Sequence, residues 1–138
     1  MARTLILDAE AVNALARPRE RGALAERARA VLRVAHEEGG LVRVPAPVLA
    51  EVCRGGAFDA PVSRLLNGRG IGVVGLTGAV ARKAGGLLAR AGLGSAHAVD
   101  AFVVATALEF GLAIIATGDP DDLTRLAKGS VGLKIFAI

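Results

Sequence analysis

Apolar residues alternate with polar ones along the chain in two distinct rhythms. Short runs of four to six apolar positions predict buried strands. These are Thr4-Leu5-Ile6-Leu7, Leu41–Val44, Ile71–Leu76, Leu112–Ala116 and Leu133–Phe136, the last of them edge-like. Between them, apolar residues recur at helical spacing over Glu10–Ala16, Ala23–Glu38, Val48–Arg54, Ala60–Leu66, Gly78–Ala91, Ala98–Phe110 and Asp121–Ala127. Pro18, Gly39-Gly40 and Gly55-Gly56 punctuate the helices, as residues that cannot continue a helix or that favour its end do. Arg17, Arg19 and Arg21 fall in the loop expected after the first helix. Strands that alternate with helices predict an α/β domain. The expected architecture is a single three-layer domain over residues 1–138, with a mostly parallel sheet of four or five strands flanked by helices.

Composition narrows the function classes. Hydrophobic residues make up 53% of the 138, enough to build a core. Aromatics are only 3%, with no Trp or Tyr, which argues against modules that bind single strands by stacking bases on rings. One cysteine, Cys53, excludes an internal disulfide and a cysteine-based zinc site. The apolar start is too short for a secretory signal, and no uncharged stretch approaches the roughly 18 residues that span a bilayer. The expected setting is therefore cytoplasmic, with no membrane partner. Lys+Arg at 17 against Asp+Glu at 13 gives a net charge of +4, and 14 of those cations are Arg. An anionic partner fits such a balance, nucleic acid first.

Four places set an acid against apolar sequence, near the carboxyl ends of predicted strands where open α/β sheets bind ligands. Asp8 ends the first strand, Glu51 lies in Val48-Leu49-Ala50-Glu51-Val52, Asp100 opens the most apolar helix, and Asp119 follows the fourth strand. Each has a purely structural reading beside the functional one. Asp8 and Asp119 suit helix N-caps, Glu51 suits a solvent face, and Asp100 suits the positive end of a helix dipole. Their joint placement is what points to chemistry. Four carboxylates on one sheet edge repel unless a cation stands among them. Mg²⁺ or Mn²⁺ favours such oxygen ligands and can activate water against a phosphodiester.

At these residues the sequence resembles the PIN domain family, specifically its small VapC-type ribonuclease toxins. The matching segments are Leu5-Ile6-Leu7-Asp8-Ala9, Pro47-Val48-Leu49-Ala50-Glu51-Val52, His97-Ala98-Val99-Asp100-Ala101 and Thr117-Gly118-Asp119-Pro120-Asp121-Asp122. The resemblance implies that Asp8, Glu51, Asp100 and Asp119 form an acidic quartet holding Mg²⁺ (or Mn²⁺). It makes Asp122 a more variable outer acid that reaches the metal through water, and Thr117 the hydroxyl residue before the fourth acid. It further implies hydrolysis of single-stranded RNA, a homodimer, and an antitoxin protein that blocks the cleft. Where many relatives carry Asn or Ser two positions after the first acid, this chain has Glu10, which either alters metal binding or faces solvent. Thr117, Arg17 and Arg54 are the candidate substrate contacts, with a solvated surface charge the alternative for each arginine.

Other patterns carry less. Gly70-Ile71-Gly72-Val73-Val74-Gly75 spells G-x-G-x-x-G but lies within a predicted strand, not at a strand–helix junction. Ser95, His97 and Asp100 lack the strained turn that a serine nucleophile needs. A phosphoacceptor receiver domain expects paired acids after its first strand and a lysine after its fifth, and neither is present. A PIN-like module that binds RNA or protein without cutting remains the alternative to the enzyme.

Overall fold

A computed structural model describes residues 3–68 and 70–138. Five strands form one sheet: β1 (Thr4–Leu7), β2 (Val42–Pro45), β3 (Ile71–Val74), β4 (Ala113–Thr117) and β5 (Leu133–Ala137). Their spatial order is β3-β2-β1-β4-β5, and every pairing is parallel. All four residues of β1 are buried, as expected for the central strand of a sheet covered on both faces. β5 is an edge, paired to β4 alone.

The helices are α1 (Ala9–Ala16), α2 (Pro18–Arg21), α3 (Ala23–Glu37), α4 (Leu49–Val52), α5 (Ala60–Gly68), α6 (Gly78–Ala91), α7 (Ala98–Leu108) and α8 (Pro120–Ala127). They pack as two groups. α1 lies against α3 and α5, while α7 lies against α6 and α8. α3 and α7 both rest on β1 and β2, one from each group. α7 carries the deepest packing, with Ala101 and Val103 through Ala107 buried. Each fully buried valine there contributes on the order of 2 kcal/mol of burial. The three-layer α/β expectation therefore holds, with five strands.

Two local expectations change. The residues after β2 do not form a helix from Val48 to Arg54. They form a 3-10 turn (Ala46–Val48) that leads into the single turn of α4. The helix ends early because Cys53 is already extended. The segment after α1 is not a loop either. Pro18 sits at the first position of α2, where its fixed φ suits a helix start. Arg19 and Arg21 are thereby carried on a helix. The G-x-G-x-x-G spelling brackets β3, with Gly70 and Gly75 at its two ends, and a Cβ on Gly72 would meet the Arg43 guanidinium at 3.0 Å. Among the described residues, no helix is long and apolar enough to cross a membrane.

Candidate metal centre and active site

The strand order reverses direction at β1, since the chain runs outward to β2 and β3 on one side and to β4 and β5 on the other. The carboxyl ends of β1 and β4 therefore open a crevice at a topological switch point. Asp8 leaves β1 there. Its backbone N–H donates to Ala116 O of β4 at 3.4 Å, and its Oδ1 accepts the Ala11 N–H at 2.9 Å. The structural and functional readings of Asp8 thus coexist: one oxygen caps α1 and the carboxyl group still faces the crevice.

Thr117 ends β4 and is wholly buried at 0% exposure. Its hydroxyl accepts the Asp119 N–H at 3.0 Å and also bonds the Asp8 carboxylate. It ties the first acid to the fourth. It is closed to solvent at the end of β4. Asp119 precedes Pro120 at the start of α8, but its side chain makes no capping bond. Its exposed carboxylate is left for the crevice.

Glu51 reaches the same place from α4, where Val48 and Val52 are buried and Glu51 is exposed. Asp100 stands in the first turn of α7. Asp8, Glu10, Glu51, Asp100 and Asp119, with Ala9 and Val103 as the apolar wall, line one pocket of about 250 Å³. The four acids expected to converge do so, although 111 positions separate the first from the last. Glu10 joins them. It sits at the open side, and the Arg21 guanidinium lies 3.6 Å from its carboxylate. Gly118 lets the β4–α8 turn close over Glu10, because a Cβ there would come within 3.0 Å of the Glu10 Cβ.

The electrostatics of Asp8 and Asp100 are those of carboxylates crowded by burial and by like charge. The Asp8 carboxyl is 7% exposed, and its pKa is pushed from 3.8 up to about 6. Burial is the main cause, with repulsion from Asp100 and Glu10 adding to it. The bonds from Thr117 and Ala11 pull the other way. The Asp100 carboxyl is also raised, first by burial and then by Glu51, Asp122 and Asp119. His97 offsets part of this.

The remaining predicted residues lie elsewhere. Asp122 does not line the pocket. It stands beside it, paired with His97 Nε2 at 3.2 Å and with Arg125 at 3.9 Å. Arg17 is a clamp. Its guanidinium donates to Asn13 Oδ1, Val52 O and Phe58 O, and it lies 4.1 Å from the Phe58 ring centroid. Arg54 turns its Nη1 to the carbonyls of Ala50 and Cys53. Arg17 ties the end of α4 to α1, whereas the exposed Arg54 side chain bonds carbonyls of its own segment.

The pocket suits a hard divalent cation by its donors. It presents five carboxylates and no nitrogen or sulfur ligand. Among the described residues, no group of three or more His, Cys, Asp or Glu side chains closes on a point as a preformed cage. That is compatible with Mg²⁺, which keeps several waters and needs only one or two direct carboxylates. The raised Asp8 pKa is the second indication of fit, since a cation would relieve the repulsion that contributes to it. The lining holds no Ser, Thr, Cys or His, so it offers no hydroxyl, thiol or imidazole nucleophile.

Comparison with known proteins adds three findings. A PIN domain family model matches residues 5–129. Among solved structures, VapBC2 from Rickettsia felis, crystallised with a DNA fragment from their promoter, is similar in fold. The TM-score is 0.64 at 14% identity, over 98% of this chain and 98% of that one. No curated protein sequence matches the chain.

Proposed function

The chain belongs to the PIN domain family, and on that footing we propose that it is a Mg²⁺- or Mn²⁺-dependent endoribonuclease that hydrolyses phosphodiester bonds of single-stranded RNA. Its expected role is that of the toxin in a toxin–antitoxin pair. The observation that carries this is the pocket. Asp8, Glu51, Asp100 and Asp119 come from four separate segments to one 250 Å³ pocket at the sheet's switch point, with Glu10 beside them. Nothing in packing calls for such a gathering, and desolvated like charges work against it.

Asp8, Glu51, Asp100 and Asp119 would hold the cation, with Glu10 supplementing them. A divalent ion supplies charge neutralisation at a phosphodiester and lowers the pKa of water. Thr117 holds Asp8 and the Asp119 backbone in register, so the carboxylates need not reorganise when substrate arrives. Arg21 holds Glu10 at the pocket's open side. In this reading the carboxylates orient water rather than attack themselves; the water forms the new P–O bond at phosphorus as the bond to the 3′-oxygen breaks, and that oxygen leaves and takes up a proton. The basic balance of the chain draws in the polyanion.

An antitoxin partner is supported by the Rickettsia felis toxin–antitoxin neighbour. A homodimer and a cytoplasmic setting belong to the same proposal. The test is purified protein on total RNA with Mg²⁺, Mn²⁺ or EDTA. Wild type should cut only with metal. Asp100→Asn should lose cutting by 100-fold or more while unfolding at a temperature near that of wild type. A variant that still cuts would remove Asp100 from the chemistry. A PIN-like module that binds without cutting would show no metal-dependent cleavage at all.

A further inference from the structure

A second charged depression lies off the acidic pocket, where the C-terminal ends of α6 and α8 meet. It measures about 500 Å³ and is lined by Arg90, Ala91, Arg125 and Lys128. The two arginines are fastened crosswise. Arg90 Nη2 donates to Leu126 O at 2.9 Å on α8, and Arg125 Nη2 donates to Ala91 O at 3.0 Å on α6. Each bond satisfies a helix-end carbonyl, which is a structural task in itself. It also holds two guanidinium forks in place at one depression, each with further N–H donors to spare. Lys128 has no such task. Among the described residues, no carboxylate lies within 4.0 Å of the charged groups of Arg90 or Lys128. Only Arg125 has a partial counterion, Asp122 at 3.9 Å.

We propose that Arg90, Arg125 and Lys128 form a binding site for a backbone phosphate of the RNA strand, distal to the bond that is cut. This rests on the nuclease proposal for its substrate. α8 connects the two sites, because it begins at Asp119 in the acidic pocket and carries Arg125 six residues on. At a rise of 1.5 Å per residue, that is about 9 Å along the helix. A strand crossing the acidic pocket can therefore lay a neighbouring phosphate on the cations. Fixed arginine forks match phosphate oxygens bidentately. An acidic protein segment is the less suitable occupant. The lining has one apolar residue, Ala91, and protein partners bind chiefly through buried apolar or aromatic anchors.

The test uses Lys128, which is exposed and whose loss should leave the fold intact. Binding of a fluorescent single-stranded RNA is measured in EDTA across a salt series for wild type, Lys128→Ala and Lys128→Glu. Loss of one phosphate contact should reduce the slope of log K against log salt by about 0.7 and weaken binding about fivefold at 0.1 M salt. Lys128→Glu should weaken it further. With Mn²⁺ present, the accompanying fall in kcat/KM on long RNA should be carried by KM. If Lys128→Glu binds RNA as tightly as wild type with the same slope, the site is not an RNA phosphate site. That result, with wild-type cleavage intact, would leave the nuclease proposal standing. Lys128-dependent binding by a protein that never cuts would do the reverse.

Discussion

Replacing Asp8 by Asn should stabilise the metal-free protein while destroying its activity. Asn is as good an N-cap as Asp and keeps the acceptor for the Ala11 N–H. It removes the buried charge. The size of the gain follows from the Asp8 pKa, which folding raises from 3.8 to about 6. Below about pH 3 the carboxyl is protonated in the folded and unfolded chain alike, and the variant and wild type should be equally stable. Between pH 4 and 6 the folded protein holds a proton that the unfolded chain releases, so wild-type stability falls as pH rises. Above about pH 7 the loss is complete, at roughly 2 pH units or about 3 kcal/mol. The bonds from Thr117 and Ala11 already act within that net shift. For a chain of this length, 3 kcal/mol corresponds to about 6–12 °C in Tm. The assay is thermal and urea unfolding in EDTA from pH 4 to 8. The difference should open over that interval in favour of Asp8→Asn. Added Mg²⁺ should then raise the wild type more than the variant, because only the wild type keeps the full ligand set. A stability difference that does not change with pH, or that grows in favour of wild type, would refute the electrostatic account of the pocket.

Thr117→Val keeps the shape of a buried side chain but removes the hydroxyl between Asp8 and the Asp119 N–H. It should cost about 1–3 kcal/mol by urea unfolding and move the acid limb of the pH–rate profile upward, since the Asp8 pKa loses a bond that lowers it. An unmoved limb would mean that Thr117 only packs. Arg17→Ala should cost on the order of 2 kcal/mol, because it strips bonds from Asn13, Val52 and Phe58. RNA affinity measured in EDTA should not change, and a selective loss of affinity would restore Arg17 as an RNA contact. Glu10→Gln should change the metal concentration needed for cleavage rather than abolish it, and a metal titration reads this directly. An identical titration curve would place Glu10 outside the metal's reach.

Near neighbours in the chain were enough to place every strand and most helices. The 2.0 and 3.6 periodicities are set by local backbone geometry and by which face is buried. α6 lies at the expected Gly78–Ala91, because Thr77 caps its start and Gly92 adopts the left-handed conformation that ends it. The four acids could be listed from sequence because each follows a strand or opens a helix. Other properties depend on partners far away along the chain. Arg17 is 35 and 41 residues from the carbonyls it holds, so nothing local in the sequence marks those bonds. Thr117 is closed to solvent at the end of a strand that stands between β1 and β5, with Ala137 of β5 beside it. Glu10 could not be assigned to the pocket or to solvent until Arg21 and the Gly118 turn were in place. Asp122 pairs with His97 at the start of α7 and stands beside the pocket lining, near enough to Asp100 to raise its pKa. Backbone preference is a property of a few consecutive residues. Burial, charge repulsion and side-chain partnership are properties of the assembled layers, and only the folded chain brings those groups within reach of one another.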